Sequence, residues 1–271
     1  MKIIPIQSLD HPDLQPYRTL RRPLDHERQG LFVGEGEKVV RRLLESPLLI
    51  FSLLMTHEWY EQLKGVLSSR SDQPTLFLAE KRLVESIVGF HVHQGIMAVA
   101  KIPQPFELND VLEKANRPYL IAAVDGLTNS ENVGVLVRNC VAFGVQALLV
   151  GETSSSPYLR RAVRNSMGTV FRLPVVRAKN LAAELRLTRK EFGIRSFAAH
   201  PKPGSVPISN ADLTKDCCLV FGSEGEGISE AVVQACDEAV MIPMQRGVDS
   251  LNVASASAVA LYEVRRQRKI L

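Results

Sequence analysis

Short β-rich runs alternate with helical stretches through the second half of this 271-residue chain. Strands that are joined through helices form parallel sheets, because a parallel pair needs a long crossover connection. The pattern therefore predicts an α/β domain with a mainly parallel sheet, whose ligand site lies in the loops at the carboxyl ends of its strands, 125–132, 222–228 and 243–252. The predicted strands are Tyr119–Val124, Ala147–Val150, Ser196–Ala199, Cys217–Phe221 and Ala239–Ile242, and the predicted helices are 131–143, 158–165, 181–191, 229–236 and 252–268.

A second, smaller α/β domain is predicted upstream. Its predicted strands are Leu48–Leu54, Leu76–Ala79 and Ile96–Ala100, and helical spacing marks Glu37–Glu45 and Glu58–Leu67. The stretch 101–118 holds three prolines and predicts a linker with one helical turn. We therefore place the domains at 1–102 and 118–271. Residues 1–30 are rich in arginine and proline, and we expect an arm that either contacts a polyanionic partner or is solvated.

Composition narrows the class of protein. With 45% hydrophobic and 23% charged residues, the chain can bury a core, which excludes a disordered protein. The net charge of +4 permits a polyanionic partner without requiring one. No apolar run approaches the roughly 18 residues of a membrane span, so no membrane partner is expected. The four cysteines form no CxxC pair, which argues against a metal site and favours a reducing, cytoplasmic compartment.

The first loop leads into a predicted helix. Thr128 and Glu131 have the spacing of a capping box, which predicts a helix that starts near residue 129. Arg138 falls on the side of this helix opposite its apolar face. By itself, Arg138 is either a site residue or an ordinary surface arginine. Asn132 is likewise either a site residue or an ordinary residue of the first helical turn.

The second and third loops are rich in small residues. Residues 222–227 read G-x-x-G-x-G, an order that differs from dinucleotide-binding and P-loop motifs. Glu224 and Glu226 would repel phosphate, so the loop suits a cationic or neutral polar ligand. Taken alone, this loop is as consistent with a tight turn between a strand and a helix as with a ligand site. The third loop precedes the run Ala254–Ala260, which either packs closely on another backbone or simply on the sheet.

Together, the three loops resemble the signature motifs of the SpoU/TrmH-type branch of the SPOUT RNA 2′-O-ribose methyltransferases. These motifs read N-x-x-G-x-x-x-R, F-G-x-E-x-x-G and I-P-M…S-L-N-V. Asn129-Ser130 stands where the family usually has Asp-Pro, and Ala254 replaces a common serine. The matching residues are Asn132, Gly134 and Arg138, then Phe221, Gly222, Glu224 and Gly227, then Ile242, Pro243, Met244, Ser250, Leu251, Asn252 and Val253.

Two further segments extend the resemblance over nearly the whole chain. Arg164–Gly168 resembles an R-x-S-x-G segment of the same family. Phe32–Gly36 and His93–Ile96 resemble, more weakly, a substrate-binding domain that is often fused to these enzymes.

The resemblance implies a C-terminal α/β-knot domain, a homodimer, S-adenosylmethionine as cofactor and RNA as partner. It assigns cofactor binding to Gly222, Ile242, Met244, Leu251 and Val253, and the reacting centre to Asn132, Arg138, Glu224, Ser250 and Asn252. Candidates for contacts to RNA phosphates are Arg160, Arg161, Arg164 and Ser166, for which a solvated helix face is the alternative.

The implied reaction transfers a methyl group to a ribose 2′-hydroxyl of structured RNA. The fused N-terminal domain favours rRNA over tRNA by analogy alone. As a base, Arg138 would have to give up a proton that a guanidinium holds very tightly at neutral pH. We therefore expect it to clamp the RNA phosphate and ribose.

Two other classes of protein would leave different marks in the sequence. A non-catalytic RNA-binding protein on this scaffold should lack one of Arg138, Glu224 and Asn252, and all three are present. A Rossmann oxidoreductase should show G-x-G-x-x-G after an early strand, and that motif is absent from the sequence.

Overall fold

The computed structural model describes residues 1–88, 95–201, 204–248 and 250–270, and its contacts divide the chain into two compact units. The first unit comprises Met1–Gln104 with Tyr158–Phe171, and the second comprises Pro105–Pro157 with Arg172–Leu271. The segment 158–171, which we expected in the C-terminal domain, thus groups with the N-terminal residues. His93 and Gln94 of the weaker resemblance lie outside the described residues.

The first unit is built around a five-stranded mixed sheet with the strand order β1-β4-β3-β5-β2. Strand β4 pairs in parallel with β1 and β3, whereas β5 is antiparallel to β2 and β3. The elements of residues 1–104 are β1 (Ile3–Pro5), α1 (Gln15–Arg18), α2 (Pro23–Arg28), β2 (Leu31–Glu35), α3 (Glu37–Leu44), β3 (Ile50–Met55), α4 (His57–Ser69), β4 (Thr75–Leu78), α5 (Lys81–Val88) and β5 (Ile96–Lys101).

The expected N-terminal arm is wrong, because residues 1–30 are part of this unit. Strand β1 adds to the edge of the sheet, and Leu14 and Tyr17 are completely buried in its core. The Tyr17 hydroxyl lies 2.9 Å from Ser52 Oγ, which satisfies both buried polar groups. The many prolines and arginines of residues 1–30 suggested an exposed arm. Leu14 and Tyr17 were not recognised as core residues because they are not part of a regular apolar spacing.

The second unit carries a seven-stranded sheet with the order β10-β12-β9-β11-β6-β7-β8, and all its described pairs are parallel. The predicted α/β class with a mainly parallel sheet is confirmed. The elements from residue 105 onward are α6 (Leu108–Lys114), β6 (Leu120–Val124), α7 (Ser130–Ala142), β7 (Ala147–Val150), α8 (Arg160–Asn165, in the first unit), β8 (Val175–Arg177), α9 (Leu181–Phe192), β9 (Arg195–Ala199), β10 (Val206–Pro207), β11 (Cys217–Phe221), α10 (Glu230–Val233), β12 (Glu238–Met241) and α11 (Val253–Gln267).

Two local expectations in the second unit need correction. The proposed linker contains α6, whose Leu108, Val111 and Leu112 are buried in the core of this unit. Helix α7 is capped by Asn129 rather than by Thr128, since Asn129 Oδ1 accepts the Glu131 N–H at 2.9 Å.

The buried face of α7 agrees with the predicted apolar face, and α11 packs beside this helix. Asn139 of α7 donates through Nδ2 to the Ala254 carbonyl at 2.7 Å and to Ser257 Oγ at 2.9 Å. These two bonds fix α7 against the small-residue start of α11. Among the described residues, no helix is long and apolar enough to cross a membrane.

Candidate active site

A cavity of about 350 Å³ opens in the second unit, where the carboxyl ends of β9, β11 and β12 meet the start of α11. Its volume is in the range of small-molecule sites, which is about 300 to 1,000 Å³. The loop after β11 contributes every residue from Gly222 to Gly227. The remaining lining residues are Ala199, His200, Pro201, Ile208, Phe221, Val240, Met241, Ile242, Met244, Ser250, Leu251, Val253, Ala256 and Ala260.

The glycine loop 222–228 folds back on itself. Ser223 N–H donates to the Gly227 carbonyl at 3.0 Å, and Gly227 N–H returns a bond to the Ser223 carbonyl at 3.1 Å. A Cβ on Gly222 would lie 2.2 Å from the carbonyl carbon of Gly227, closer than any real contact. Gly227 itself has a φ of 76°, which favours glycine. Both glycines are therefore required for the loop to close.

Three predicted site residues from different loops come together beside this cavity. Asn252 Nδ2 donates to Asn132 Oδ1 at 3.2 Å and also to Glu224 Oε1. Asn252 Oδ1 accepts the Ala254 N–H at 2.8 Å, which caps α11. One amide thus links the first, second and third motifs and holds the Glu224 carboxylate.

All five residues expected to bind the cofactor line the cavity, as do Glu224 and Ser250 from the expected reacting centre. Their individual roles stay predictions. Arg138 does not line the cavity of its own chain. It lies on the exposed side of α7 and makes no hydrogen bond or ion pair with the described part of the chain.

The candidates for RNA contact lie in the segment 158–171 of the first unit. The buried carboxylate of Glu35 forms ion pairs with Arg160, at an N···O distance of 3.3 Å, and with Arg164, at 3.5 Å. Burial lowers the pKa of Arg160 below its usual value, and Glu35 opposes this shift. These two arginines therefore neutralise the buried Glu35 carboxylate, and their contact with RNA stays a prediction. Arg161 has interactions of its own within the chain, although it is exposed.

Ser166 is not a surface residue. It is completely buried, donates to the Val163 carbonyl at 2.8 Å and accepts the Gly168 N–H at 3.2 Å. We therefore withdraw Ser166 as an RNA contact. Its hydroxyl closes the turn at the end of α8, so the serine in the R-x-S-x-G segment has a structural role here.

Two buried polar residues near the cavity were missed by the sequence reasoning. Asp125 directly follows β6, and its Oδ2 accepts the Ser229 N–H at 2.7 Å. His200 directly follows β9 and lines the cavity wall. Asp125 is the first residue of the predicted loop 125–132, although no role was assigned to it, and the same rule applied to the end of β9 would have selected His200.

Comparison with known proteins places this site in a family. The sequence pattern of the SpoU rRNA methylase family matches residues 119–262, more than half of the chain. An uncharacterized tRNA/rRNA methyltransferase from Mycobacterium bovis is 33% identical over 265 residues, which cover 95% of this chain and 90% of that protein. The chain therefore belongs to the SpoU rRNA methylase family, a family of RNA methyltransferases.

Solved structures confirm the expected fold. The AdoMet-bound rRNA methyltransferase from Sinorhizobium meliloti superposes with a TM-score of 0.83 at 24% identity and covers 97% of this chain and 98% of its own. A protein described as an RNA 2′-O ribose methyltransferase superposes with a TM-score of 0.77, also at 24% identity, over 98% of this chain and 99% of its own. The Streptomyces viridochromogenes methyltransferase AviRb has likewise been solved with AdoMet. S-adenosylmethionine, the expected cofactor, is thus confirmed for the family.

Proposed function

We propose that this protein transfers a methyl group from S-adenosylmethionine to a ribose 2′-hydroxyl of RNA, with rRNA as the favoured substrate. The observation that carries the proposal is the cavity, because all five residues that the family motifs assign to the cofactor line it. Further support comes from the matching family, which is described as rRNA methylases, and from the fold shared with a ribose 2′-O methyltransferase.

The residues of the cavity fit S-adenosylmethionine better than a phosphorylated nucleotide. Its walls are mainly apolar, from Phe221 to Met244, and the closed glycine loop places backbone groups at its surface. Glu224 and Glu226 add negative charge, which would repel a phosphate and attract a cation. S-adenosylmethionine supplies a methyl group on a positively charged sulfur and carries no phosphate.

The chain's own contribution to the reaction is alignment. Asn252 holds Glu224 and Asn132 in one network, which fixes the three loops at the cavity mouth. Fixed geometry of this kind accelerates group transfer by keeping the reacting atoms in line. We assign Arg138 to the RNA phosphate and ribose, since a guanidinium binds phosphate well and gives up its proton only at very high pH.

A second copy of the chain would complete this site. Arg138 is exposed on α7 and does not line the cavity of its own chain, whereas a reacting-centre residue must reach the cofactor. Helix α11, which packs beside α7, exposes Val259 and Tyr262 on its outer side. We therefore propose a homodimer through the α7–α11 face, in which Arg138 serves the partner's cavity.

The remaining proposals assign a different function to each of the two domains. We propose that residues 1–102 form an RNA substrate-binding domain and that residues 118–271 carry the chemistry, since the cavity and its motif residues lie after residue 118. A cytoplasmic location stays a prediction.

Mapping 2′-O-methyl positions in total RNA tests the function. RNA from cells with and without the gene should differ at one or a few riboses, and rRNA sites should outnumber tRNA sites. Wild-type protein should restore the modification, whereas Arg138→Ala should not. Because Arg138 is exposed and unbonded, this variant should keep the wild-type melting temperature. A lost base methylation, or an unchanged RNA, would contradict the proposal.

A further inference from the structure

Asp125 lies beside both ends of the glycine loop. Strands β6 and β11 are parallel neighbours, and Val124 is paired with Phe221 at their carboxyl ends. Asp125 and Gly222 therefore leave the sheet side by side. Asp125 is only 6% exposed, and it does not line the cavity.

Two hydrogen bonds fasten the loop to this one residue. The Asp125 backbone N–H donates to the Phe221 carbonyl at 2.9 Å, just before the loop. The Asp125 carboxylate accepts the Ser229 N–H at 2.7 Å, just after the loop. Between these two anchors, Ser223 and Gly227 pair with each other. The loop is thus closed internally and held at both ends.

We infer that Asp125 is a positioning residue of the cofactor site, whose carboxylate holds the glycine loop in the shape that lines the cavity. This inference rests on the proposed function, because it takes S-adenosylmethionine as the ligand. A hydrogen bond from a backbone amide to a buried carboxylate is among the stronger bonds in proteins, since its acceptor is charged. Asp125 therefore acts through residues 222–228 and not by touching the ligand.

The loss of this carboxylate should appear in cofactor affinity. Without it, the end of the loop at Ser229 is released, and the ligand-free protein populates loop arrangements that do not form the cavity wall. The measured affinity is then the wild-type affinity multiplied by the fraction of molecules whose loop is in the competent arrangement. A residue that supports only the fold would lower the melting temperature without this effect on binding.

Asp216 provides a matched control at the opposite ends of the same two strands. Its Oδ1 accepts the Tyr119 N–H at 2.6 Å, immediately before β6 and β11 begin. Asp216→Ala therefore removes a bond of the same kind between a carboxylate and a backbone amide, together with the ion pair of Asp216 with Arg117, far along the strands from the glycine loop. Both alanine variants should lose stability, and only Asp125→Ala should lose affinity.

The experiment measures S-adenosylmethionine binding by isothermal titration in full-length protein, together with melting temperatures. Asp125→Ala should weaken binding by about 10- to 100-fold, the range that one charge-assisted hydrogen bond supplies. Asp125→Asn keeps an acceptor oxygen and should stay within about fivefold of wild type. Asp216→Ala should stay within about twofold, because its bond does not touch the loop.

A variant that removes the hydrogen-bond donor tests the same contact if Asp125→Ala does not fold. Ser229 has a φ of −61°, the angle that proline requires, so Ser229→Pro removes the same N–H donor with little backbone strain. It should weaken binding in the same direction, and hydrogen exchange of residues 222–228 should become faster in both variants. Steady-state assays should show a raised KM for S-adenosylmethionine with kcat within about threefold of wild type.

The possible outcomes separate this inference from the proposed function. If wild-type protein does not bind S-adenosylmethionine, the proposed function is wrong. If wild type binds but Asp125→Ala and Ser229→Pro bind equally well, the assignment of Asp125 is overturned. It is also overturned if Asp216→Ala weakens binding as much as Asp125→Ala does at matched loss of stability, since Asp125 would then be a purely structural residue.

Discussion

Gly222 and Gly225 belong to the same loop but meet different surroundings. A Cβ on Gly222 would collide with the backbone of Gly227, which cannot move without opening the loop. A Cβ on Gly225 would find nothing within 4 Å, and its backbone is not in the left-handed region. The first glycine is thus needed for the loop itself, whereas the second tolerates a side chain in the ligand-free protein.

Replacing each of these glycines by alanine should separate loop closure from ligand contact. Gly222→Ala should weaken S-adenosylmethionine binding by at least about tenfold and lower the melting temperature, because overpacking against backbone typically costs about 1 to 3 kcal/mol. Gly225→Ala should keep the wild-type melting temperature and bind within about threefold of wild type. Equal affinity of Gly222→Ala and wild type, measured by titration, would contradict the closed loop.

At the scale of elements, the sequence pattern located most strands and helices of both units. Strand β11 has the predicted bounds, and α7 differs by one residue at each end, since long apolar periodicities mark buried faces. The five-residue strand β2 was not predicted, and neither were β1, β8 and β10, which have only two or three residues. Runs this short carry no periodicity, and only their partners in the sheet define them.

For the site as well, features set by neighbouring residues were predictable, and contacts between residues far apart in the sequence were not. The loops were predictable from the carboxyl ends of the strands. The network around Asn252 was not, because Asn132 is 120 residues away in sequence and no spacing rule connects them. The ion pair of Arg160 with Glu35 bridges a similar separation, and no spacing rule of the sequence connects these two residues either.

The outer face of α7 and α11 should be a dimer interface. Val259 and Tyr262 are large apolar residues with 42% and 47% exposure, and burial of such surface drives association. A double variant, Val259→Glu with Tyr262→Glu, should be monomeric in light scattering and should lose methyl transfer, because Arg138 would no longer reach a partner's cavity. Introduced charges at the centre of an interface are left unpaired and desolvated.

Leu187→Glu is the matched control for the dimer prediction. Leu187 lies on α9 of the same unit and is 44% exposed, so this variant introduces one glutamate at an apolar residue of similar exposure to Val259 and Tyr262. This variant should stay dimeric and active. A wild-type monomer that methylates RNA would refute both the dimer and the assignment of Arg138 to the partner's site.

At the scale of the whole molecule, the division into units decides how RNA binding can be tested. A fragment of residues 118–271 would keep Arg160 and Arg164 but lose Glu35, their buried partner in the first unit. The segment 158–171 would then lie outside the unit in which it is packed. A weaker RNA affinity of that fragment would not identify an RNA-binding surface, whereas substitutions in the full chain can do so.

The distribution of charge indicates where those substitutions belong. Residues 1–104 hold 13 Lys or Arg and 12 Asp or Glu, so the N-terminal region is not basic as a whole. Residues 14–24 nevertheless contain Arg18, Arg21 and Arg22 and no acid. All three are exposed and make no side-chain ion pair or hydrogen bond with described residues. Such free cations, held on a folded surface, suit RNA phosphates.

The last prediction is that these three arginines contact the RNA backbone. Glutamine at Arg18, Arg21 and Arg22 should weaken binding of a labelled rRNA stem-loop and reduce the slope of log affinity against log salt by about 2 to 3, since each lost phosphate contact removes about 0.7 to 0.9. S-adenosylmethionine affinity should not change, because the cavity residues are untouched. The control replaces Lys64, Lys81 and Arg82 by glutamine, which removes the same charge from the exposed sides of α4 and α5. If both triple variants reduce the salt slope equally, net charge alone governs binding, and residues 14–24 are not an RNA contact.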